Sequence, residues 1–293
     1  MPKKVKFGLQ RKAVAHMTTE SWQRIPHVSY LYEPDVTELY DAYQRLNRAK
    51  KEKISLNTLI LKAISEALKK APQLNAALTY NHKTAQGQLK IHDEINIAIP
   101  WLLDDGRMIT PILAGAEKLS LAEMATEIEG ISRKIENTDI DELLFSAALS
   151  KTAADVRSFK PSSLLRILFS LKDGNVLAER HPAKKKGAET LTKKDLLTAT
   201  ITVTNIGSLH KEQRGFLALF QIMPPQVCAI GAGALAERPG IYESKTGKKE
   251  IGIRKVLPLC IAFDHRALDF SDVLPFVKAL DEIFSDPKIL GKW

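Results

Sequence analysis

Two nearly continuous apolar runs late in the chain constrain the fold most. They read QVCAIGAGAL at 226–235 and VLPLCIAF at 256–263, and neither contains a charged residue. Runs of this length without polar alternation are typical of strands that are covered on both faces. A third run, ATITVTNIGSL at 199–209, is rich in β-branched residues. We therefore predict that these three segments form the centre of a sheet with structure packed on both sides.

Amphipathic segments predict the helices that would cover such a sheet. In SLNTLILKAISEALKKAP, apolar residues recur at helical spacing after Ser55, whose hydroxyl suits the N-cap position. Two further helices begin with capping-box patterns, Asp35 with Glu38 and Ser120 with Glu123. The last helix, in SDVLPFVKALDEIFSDP, has a predicted buried stripe of Leu274, Phe276, Val277, Leu280, Ile283 and Phe284. The mixture of strands and helices along the chain favours the α/β class.

The periodicity weakens between Asn137 and Thr198. Within that stretch, SSLLRILFSLKDG is compatible with one short apolar helix, which would be a core helix, a partner-docking segment or a membrane-surface segment. Its flanks are polar and basic and show no strand alternation. We predict a single domain over residues 1–293 that carries an insertion at about 138–198.

Composition and charge narrow the class of protein. The chain is 44% hydrophobic and 26% charged, which is ordinary for a globular protein with a sizeable core. Lys and Arg outnumber Asp and Glu by 43 to 34, so the formal net charge is +9. This excess favours an anionic partner, which could be nucleic acid, a phosphorylated cofactor or an acidic protein. Charge alone does not choose among them, but no nucleic-acid-binding motif is recognisable, so we predict no nucleic acid as a partner.

Two absences in the sequence bear on location and on metal chemistry. No run of about 18 uncharged apolar residues occurs, and no apolar stretch follows the basic start MPKKVKFGLQ. We therefore predict a cytoplasmic protein without a membrane span. The two cysteines, Cys228 and Cys260, lie inside apolar runs as core thiols, and no histidine spacing suits a metal, so no metal site is predicted.

The stretch IAFDHRALDFSDV at 261–273 holds the most promising reactive group. An apolar strand breaks into charged residues at His265, and Asp269 follows four positions later. Strand ends are where loops commonly carry function. The HxxxD pattern alone is short, so His265 is either a base or a side chain that only makes salt links with its neighbours.

The sequence FDHRALD resembles the DHRxxDG motif of the catalytic domain of dihydrolipoyl acyltransferases, the core subunits of 2-oxo acid dehydrogenase complexes. Other segments resemble that family in the same order, from RKAVAHM and IPHVSYLYEPDVTEL through LNTLILKAISEALKKAPQLNAAL, INIAIPWLLDDGRMITPIL and SLAEMATEI to ITVTNIGSL and PPQVCAIGAG. The family shares its fold with chloramphenicol acetyltransferase. The resemblance thus implies a chloramphenicol acetyltransferase-like two-layer α/β fold, in which helices cover a mixed β-sheet.

The resemblance also implies a reaction and the residues that carry it. The family moves an acyl group between a dihydrolipoyl thiol and coenzyme A, so coenzyme A is the expected second substrate. By motif position, His265 is the expected general base and Asp269 part of a charged network that holds the loop. Thr204, in TVTNIG, stands where the family places a hydroxyl, usually that of Ser, which stabilises the oxyanion.

Assembly and carriers follow from the same resemblance. In the family the histidine and the hydroxyl come from different chains of a trimer, so we expect a homotrimer or a larger multiple of trimers. A lipoyl carrier protein or other 2-oxo acid dehydrogenase subunits are the expected partners. The 293 residues hold no segment resembling a lipoyl-bearing or peripheral-subunit-binding domain, so the lipoyl group is expected in trans.

Two departures from the family pattern leave an alternative open. Phe270 stands where the motif has glycine, and we expect it either to reshape the turn after Asp269 or to narrow the acyl pocket. The segment LHKEQRG replaces the glycine-rich turn that usually follows the hydroxyl-bearing strand. The alternative is therefore a catalytically silent trimeric scaffold of the same fold.

Overall fold

A computed structural model describes residues 2, 4, 7–49, 53–144, 188–244 and 246–293. The apolar segment SSLLRILFSLKDG lies outside the described residues, so the short helix expected there stays a prediction. The chain divides into two compact units, Met1–Glu20 with Glu129–Leu197 and Ser21–Ile128 with Thr198–Trp293. Every residue named as a candidate site residue belongs to the second unit.

Within the described residues, six helices and twelve strands have defined bounds. The helices are Leu9–Arg24 (α1), Thr37–Ala49 (α2), Leu56–Leu68 (α3), Leu121–Asn137 (α4), Lys194–Leu197 (α5) and Phe270–Ser285 (α6). The strands are His27–Tyr32 (β1), Ala76–Asn81 (β2), Gln86–Ile91 (β3), Ile97–Ala98 (β4), Trp101–Leu102 (β5), Met108–Ile109 (β6), Ile112–Leu113 (β7), Ile201–Asn205 (β8), Cys228–Ala232 (β9), Ala236–Glu243 (β10), Lys249–Val256 (β11) and Leu259–Asp264 (β12). Short 3-10 turns lie at Pro72–Leu74, Ile206–Ser208 and Pro287–Gly291.

A six-stranded mixed sheet organises the second unit, with the order β1-β12-β9-β8-β4-β7. β8 is parallel to both β9 and β4, and the remaining pairs are antiparallel. The three apolar runs of the sequence are β8, β9 and β12, so the prediction that they form the centre of the sheet is confirmed. Every residue of β9 and β12 is buried, which explains why neither strand alternates with polar residues.

Three antiparallel pairs stand beside this sheet: β2 with β3, β5 with β6, and β10 with β11. The turn between β5 and β6 contains Gly106 with φ +83°, a left-handed conformation that glycine adopts without steric cost. The turn consists of Asp104, Asp105 and Gly106, and Asp-Gly is a sequence typical of such chain reversals.

Two of the three predicted helix caps are present. The Thr58 amide donates to the Ser55 hydroxyl at 3.0 Å. In the capping box of α4, the Ser120 amide donates to the Glu123 carboxylate at 2.8 Å and the Glu123 amide to the Ser120 hydroxyl at 3.2 Å. Both arrangements satisfy backbone donors that a helix start leaves unpaired.

The capping box predicted at Asp35 and Glu38 is wrong. α2 begins only at Thr37, so the Asp35 carboxylate accepts from the Thr37 amide at 2.9 Å. Arg254 of β11 lies 2.5 Å from Asp35 and 3.6 Å from Glu38. These ion pairs with a distant strand occupy the two carboxylates, a tertiary contact that the local sequence does not show.

The predicted apolar stripe of α6 is buried except for Leu274. Phe276, Val277, Leu280 and Ile283 lie in the core, whereas 37% of Leu274 is exposed. At 100° per residue, Leu274 falls more than a quarter turn from the middle of the stripe. Leu274 therefore faces outward, and the prediction for this residue is wrong.

Candidate active site

His265 follows the last residue of the buried central strand β12. Hydrogen bonds to two separate segments fix the backbone here, from the Asp264 amide to the Val227 carbonyl at 2.8 Å and from the His265 amide to the Pro26 carbonyl at 3.0 Å. The side chain is half exposed. The sheet therefore holds the backbone of His265 in place and leaves its imidazole accessible.

The hydrogen bond of the imidazole determines which of its nitrogens is available as a base. Nδ1 lies 3.1 Å from the backbone carbonyl of Leu268 and 3.3 Å from the Asp269 carboxylate. Because a carbonyl oxygen only accepts, Nδ1 must carry a proton in this hydrogen bond. In the neutral imidazole the lone pair then resides on Nε2, which is the nitrogen that can remove a proton from a substrate.

Asp264 and Arg266 hold the loop beneath this imidazole. The Arg266 guanidinium donates Nε to Oδ1 of Asp264 at 3.0 Å and Nη2 to Oδ2 at 2.6 Å, in a two-pronged ion pair. The Arg266 amide donates to the same carboxylate at 3.0 Å, and only 1% of the Asp264 side chain is exposed. The sequence pattern alone assigned this pair no role, although the letters DHR contain it.

Asp269 lies at the start of α6, and its side chain is 75% exposed. Its amide donates to the Asp272 carboxylate at 2.9 Å, an interaction typical of a helix start. The carboxylate of Asp269 thus adjoins Nδ1 of His265 from the solvent side, and the buried ion pair of the loop is that of Asp264 with Arg266.

Thr204 lies at the opposite end of the sheet from His265. In β8 it pairs with Gly231 of β9, and Gly231 pairs with Cys260 of β12. The five-residue offset from Cys260 to His265 and two strand spacings put the Cα atoms of Thr204 and His265 roughly 20 Å apart. One chain therefore does not bring the two residues together.

A cleft of about 650 Å³ opens at the end of the sheet where Thr204 lies. Its lining includes Asn205, directly after Thr204, and Asn57 at the start of α3, which hydrogen-bond to each other at 3.0 Å. The Asn205 side chain also accepts from the Ser208 amide at 3.1 Å. These bonds fix the polar wall of the cleft, which could not be found in the sequence because its residues come from distant segments.

The cleft carries an unbalanced positive charge. Of its charged lining residues, Lys255 is paired with Glu237 at 2.7 Å, and the hydrogen bond to that carboxylate raises the pKa of Lys255. Lys211 makes no ion pair within the described ranges. It belongs to the segment LHKEQRG, which the sequence marks as unusual, and it leaves the cleft suited to an anionic ligand.

Gly207 marks a close approach of two chain segments in the cleft wall. A Cβ atom at Gly207 would stand 2.5 Å from the Gly233 carbonyl oxygen and 2.6 Å from the Ala234 Cα. Both neighbours are backbone atoms in a buried stretch after β9, so they cannot rotate away. A side chain at position 207 would therefore push the end of β8 away from β9.

We expect Gly207→Ala to lower the free energy of unfolding by about 1–3 kcal/mol or more, because the added methyl group overpacks the backbone. The matched control is Gly130→Ala in α4, where an added Cβ meets nothing within 4 Å. That change should raise stability by about 0.5–1 kcal/mol, the usual gain from alanine over glycine in a helix. Denaturant unfolding of both variants checks the prediction, and equal effects of the two changes would contradict it.

The buried cysteines are poor candidates for a nucleophile. Burial raises the pKa of both Cys228 and Cys260, which disfavours the reactive thiolate. Within the described residues, no group of three or more His, Cys, Asp or Glu side chains is placed to hold a metal ion. No helix in the same part of the chain is long and apolar enough to cross a membrane.

The sequence model of the 2-oxoacid dehydrogenases acyltransferase catalytic domain matches residues 2–143 and 177–291. The lipoamide acyltransferase component of the branched-chain alpha-keto acid dehydrogenase complex of Pseudomonas putida is 26% identical over 287 residues, or 97% of this chain and 52% of that protein. The dihydrolipoyllysine-residue acetyltransferase component of the pyruvate dehydrogenase complex of Mycobacterium tuberculosis is 27% identical over 277 residues, or 92% of this chain and 39% of that protein. The chain thus spans about half the length of these curated relatives, or less.

Solved structures share the fold of this chain. A probable dihydrolipoamide acetyltransferase from Listeria monocytogenes has a TM-score of 0.66 at 21% identity, covering 97% of this chain and 94% of that one. The cubic core of a pyruvate dehydrogenase multienzyme complex has a TM-score of 0.65 at 20% identity, covering 99% and 94%. Chloramphenicol acetyltransferase has a TM-score of 0.50 at 14% identity, covering 95% of this chain and 96% of that one. The predicted chloramphenicol acetyltransferase-like α/β fold is confirmed.

Proposed function

The chain belongs to the family of 2-oxoacid dehydrogenase acyltransferases, to which its sequence is matched over the catalytic domain, and on this basis we propose that it transfers an acyl group between a dihydrolipoyl thiol and coenzyme A. The observation that carries the proposal is the imidazole of His265, whose Nδ1 is held by the Leu268 carbonyl. In the neutral imidazole that bond places the lone pair on Nε2, as a general base requires.

The proposed reaction uses the two ends of the sheet for different tasks. Nε2 of His265 removes the proton from the attacking thiol, and the thiolate sulfur bonds to the thioester carbonyl carbon. The carbonyl oxygen becomes an oxyanion, to which the Thr204 hydroxyl donates a hydrogen bond. When the tetrahedral intermediate collapses, the carbon–sulfur bond of the original thioester breaks, and the departing thiolate takes the proton from the imidazolium.

A second copy of the chain has to complete this site. Thr204 is roughly 20 Å from His265 in one chain, and a hydrogen bond to the oxyanion requires contact at about 3 Å. We therefore propose that His265 of one copy faces Thr204 of the next in a homotrimer, or in a larger assembly of trimers. A lipoyl carrier protein or other 2-oxo acid dehydrogenase subunits would supply the acyl-bearing lipoyl group.

The cleft beside Thr204 is the proposed binding site for coenzyme A. Its volume of about 650 Å³ lies within the range of about 300–1,000 Å³ that is common for small-molecule sites. Coenzyme A carries several phosphate charges, and Lys211 provides a cation that no carboxylate in the described part of the chain neutralises. The cleft would thus hold the nucleotide portion, with the thiol directed toward Thr204.

We expect Lys211→Glu to raise KM for coenzyme A by about tenfold or more, because the change replaces an attractive charge by a repulsive one. KM for pantetheine, which has the thiol but no phosphate, should stay unchanged. Lys83→Glu, in the exposed turn between β2 and β3, is a matched control for the change in net charge. An equal rise in KM for pantetheine and coenzyme A in Lys211→Glu would contradict this placement of the phosphates.

Thioester exchange by the purified protein tests the proposal directly. Acyl groups should move between coenzyme A and dihydrolipoamide in a protein that forms trimers. A folded trimer without exchange of any short acyl thioester would favour the silent scaffold instead. Either the position of Phe270 or the altered segment after β8 would then be the reason.

A further inference from the structure

Phe270 replaces the glycine of the family motif without straining the backbone. Asp269 before it has φ −111° and ψ 171°, an ordinary extended conformation, and Phe270 is the first residue of α6. The position therefore does not use the left-handed conformations that favour glycine. Of the two effects expected from the sequence, a reshaped turn has no support in this backbone, and the volume of the side chain becomes the relevant property.

The Phe270 ring is held against the edge strand of the sheet. Its centroid lies 4.9 Å from that of Tyr30 in β1, with the ring planes tilted by 59°. Tyr30 stacks in turn with Tyr32 at 6.2 Å, and the Tyr32 hydroxyl donates to the Asp281 carboxylate of α6. Strand and helix thus fix the aromatic pair from both sides, although 44% of Phe270 stays exposed.

Leu274 extends this apolar surface by one helical turn. It is four residues after Phe270, so the two side chains lie on the same face of α6. Leu274 is 37% exposed, and it is the residue that departs from the predicted buried stripe. Phe270, Leu274 and Tyr30 together form a surface that we call the apolar wall.

The apolar wall is linked to the candidate base through Asp269. Asp269, whose carboxylate lies 3.3 Å from Nδ1 of His265, is the residue before Phe270. In thioester exchange the attacked carbon bears the acyl chain, so the chain has to lie within a few ångströms of the base. Core packing does not account for an aromatic ring at this position that stays 44% exposed.

We propose that Phe270 determines acyl specificity, because its ring, supported by Tyr30 and Leu274, fills the space beside His265 that glycine would leave open. The acyl group accepted is then a short unbranched one, such as acetyl, and a branched acyl group meets the ring. The inference rests on the proposed function and adds the class of acyl group to it.

The experiment compares acetyl and 2-methylpropanoyl transfer from the respective coenzyme A thioesters to dihydrolipoamide. The wild-type protein is expected to favour the acetyl group in kcat/KM. Phe270→Ala should raise the kcat/KM for the branched group, relative to that for acetyl, by about tenfold or more. One methylene group more or less in a pocket commonly changes such a ratio by about 10–200-fold. Phe270→Leu, which keeps most of the bulk, should shift the ratio less.

Lys278→Ala is the matched control, because this exposed residue lies two helical turns farther along α6. An unchanged ratio in both Phe270 variants, with the wild type active, would overturn the specificity inference and leave the proposed function standing. A wild-type preference for the branched group would also overturn it. Absence of exchange with either thioester would overturn the proposed function, and the inference with it.

Discussion

His265→Ala is expected to lower the rate of acyl exchange between coenzyme A and dihydrolipoamide by about 10²- to 10⁴-fold, the usual contribution of a general base. The Kd for coenzyme A should stay unchanged, because the proposed cleft holds the nucleotide portion and the imidazole of the neighbouring copy meets only the thiol. The loss should therefore appear in kcat and in kcat/KM to the same extent. Steady-state kinetics and equilibrium binding of coenzyme A measure the two quantities separately.

His82→Ala is the control for this variant, since His82 is an exposed histidine in the turn between β2 and β3. It should leave both exchange and binding at wild-type values. Full exchange activity in His265→Ala would eliminate the imidazole as the base. A parallel loss of coenzyme A binding would show that His265 holds coenzyme A in addition to, or instead of, removing a proton.

Mixing two inactive variants is expected to restore activity, which is the second large effect. Thr204→Val keeps the β-branched shape of the side chain and removes the hydroxyl, at a cost of about 2.7–4 kcal/mol in transition-state stabilisation. In trimers assembled at random from equal amounts of Thr204→Val and His265→Ala chains, about one site in four combines an intact Thr204 with an intact His265. Exchange should therefore recover to about a quarter of the wild-type rate.

The variants have to be unfolded and refolded together, or expressed together, so that the chains can mix. Thr204→Ser keeps the hydroxyl and should be tolerated, which separates the loss of the hydroxyl from a change in packing. If each active site were built from one chain, every site in the mixture would lack one of the two groups. A mixture that is no more active than its separate components would then reject the shared site.

The centre of the fold could be predicted from the sequence because a strand that is buried on both faces is apolar at nearly every position. β9 and β12 are buried throughout, so their sequences are apolar throughout, and no partner needs to be known to see it. The caps at Ser55 and Ser120 were predictable for a similar reason, because their hydrogen bonds join residues only three positions apart. At Asp35 the local signal failed, because Arg254, more than 200 positions away, determines how that carboxylate is used.

The candidate site was predictable in its reactive residue and not in its surroundings. His265 stands at the end of an apolar run and within a recognisable motif, both of which are visible in the letters. The cleft wall formed by Asn57 and Asn205 depends on which segments meet in space. The ion pair of Asp264 with Arg266 is local, but nothing in the letters DHR marks it as buried. Leu274 illustrates the same limit, since apolar character at near-helical spacing does not reveal which flank of a helix a neighbouring strand covers.

The pairing of β1 with β12 has a consequence for the order of folding. His27 and Asp264 are partners in this pair, although more than 200 positions separate them in the chain. Contacts between such distant segments close late, because the loop between them costs entropy before any contact forms. During synthesis β1 leaves the ribosome long before β12. The Pro26 carbonyl can therefore accept the hydrogen bond from the His265 amide only when the chain is nearly complete. The loop that carries the base is thus finished only after most of the chain has been made.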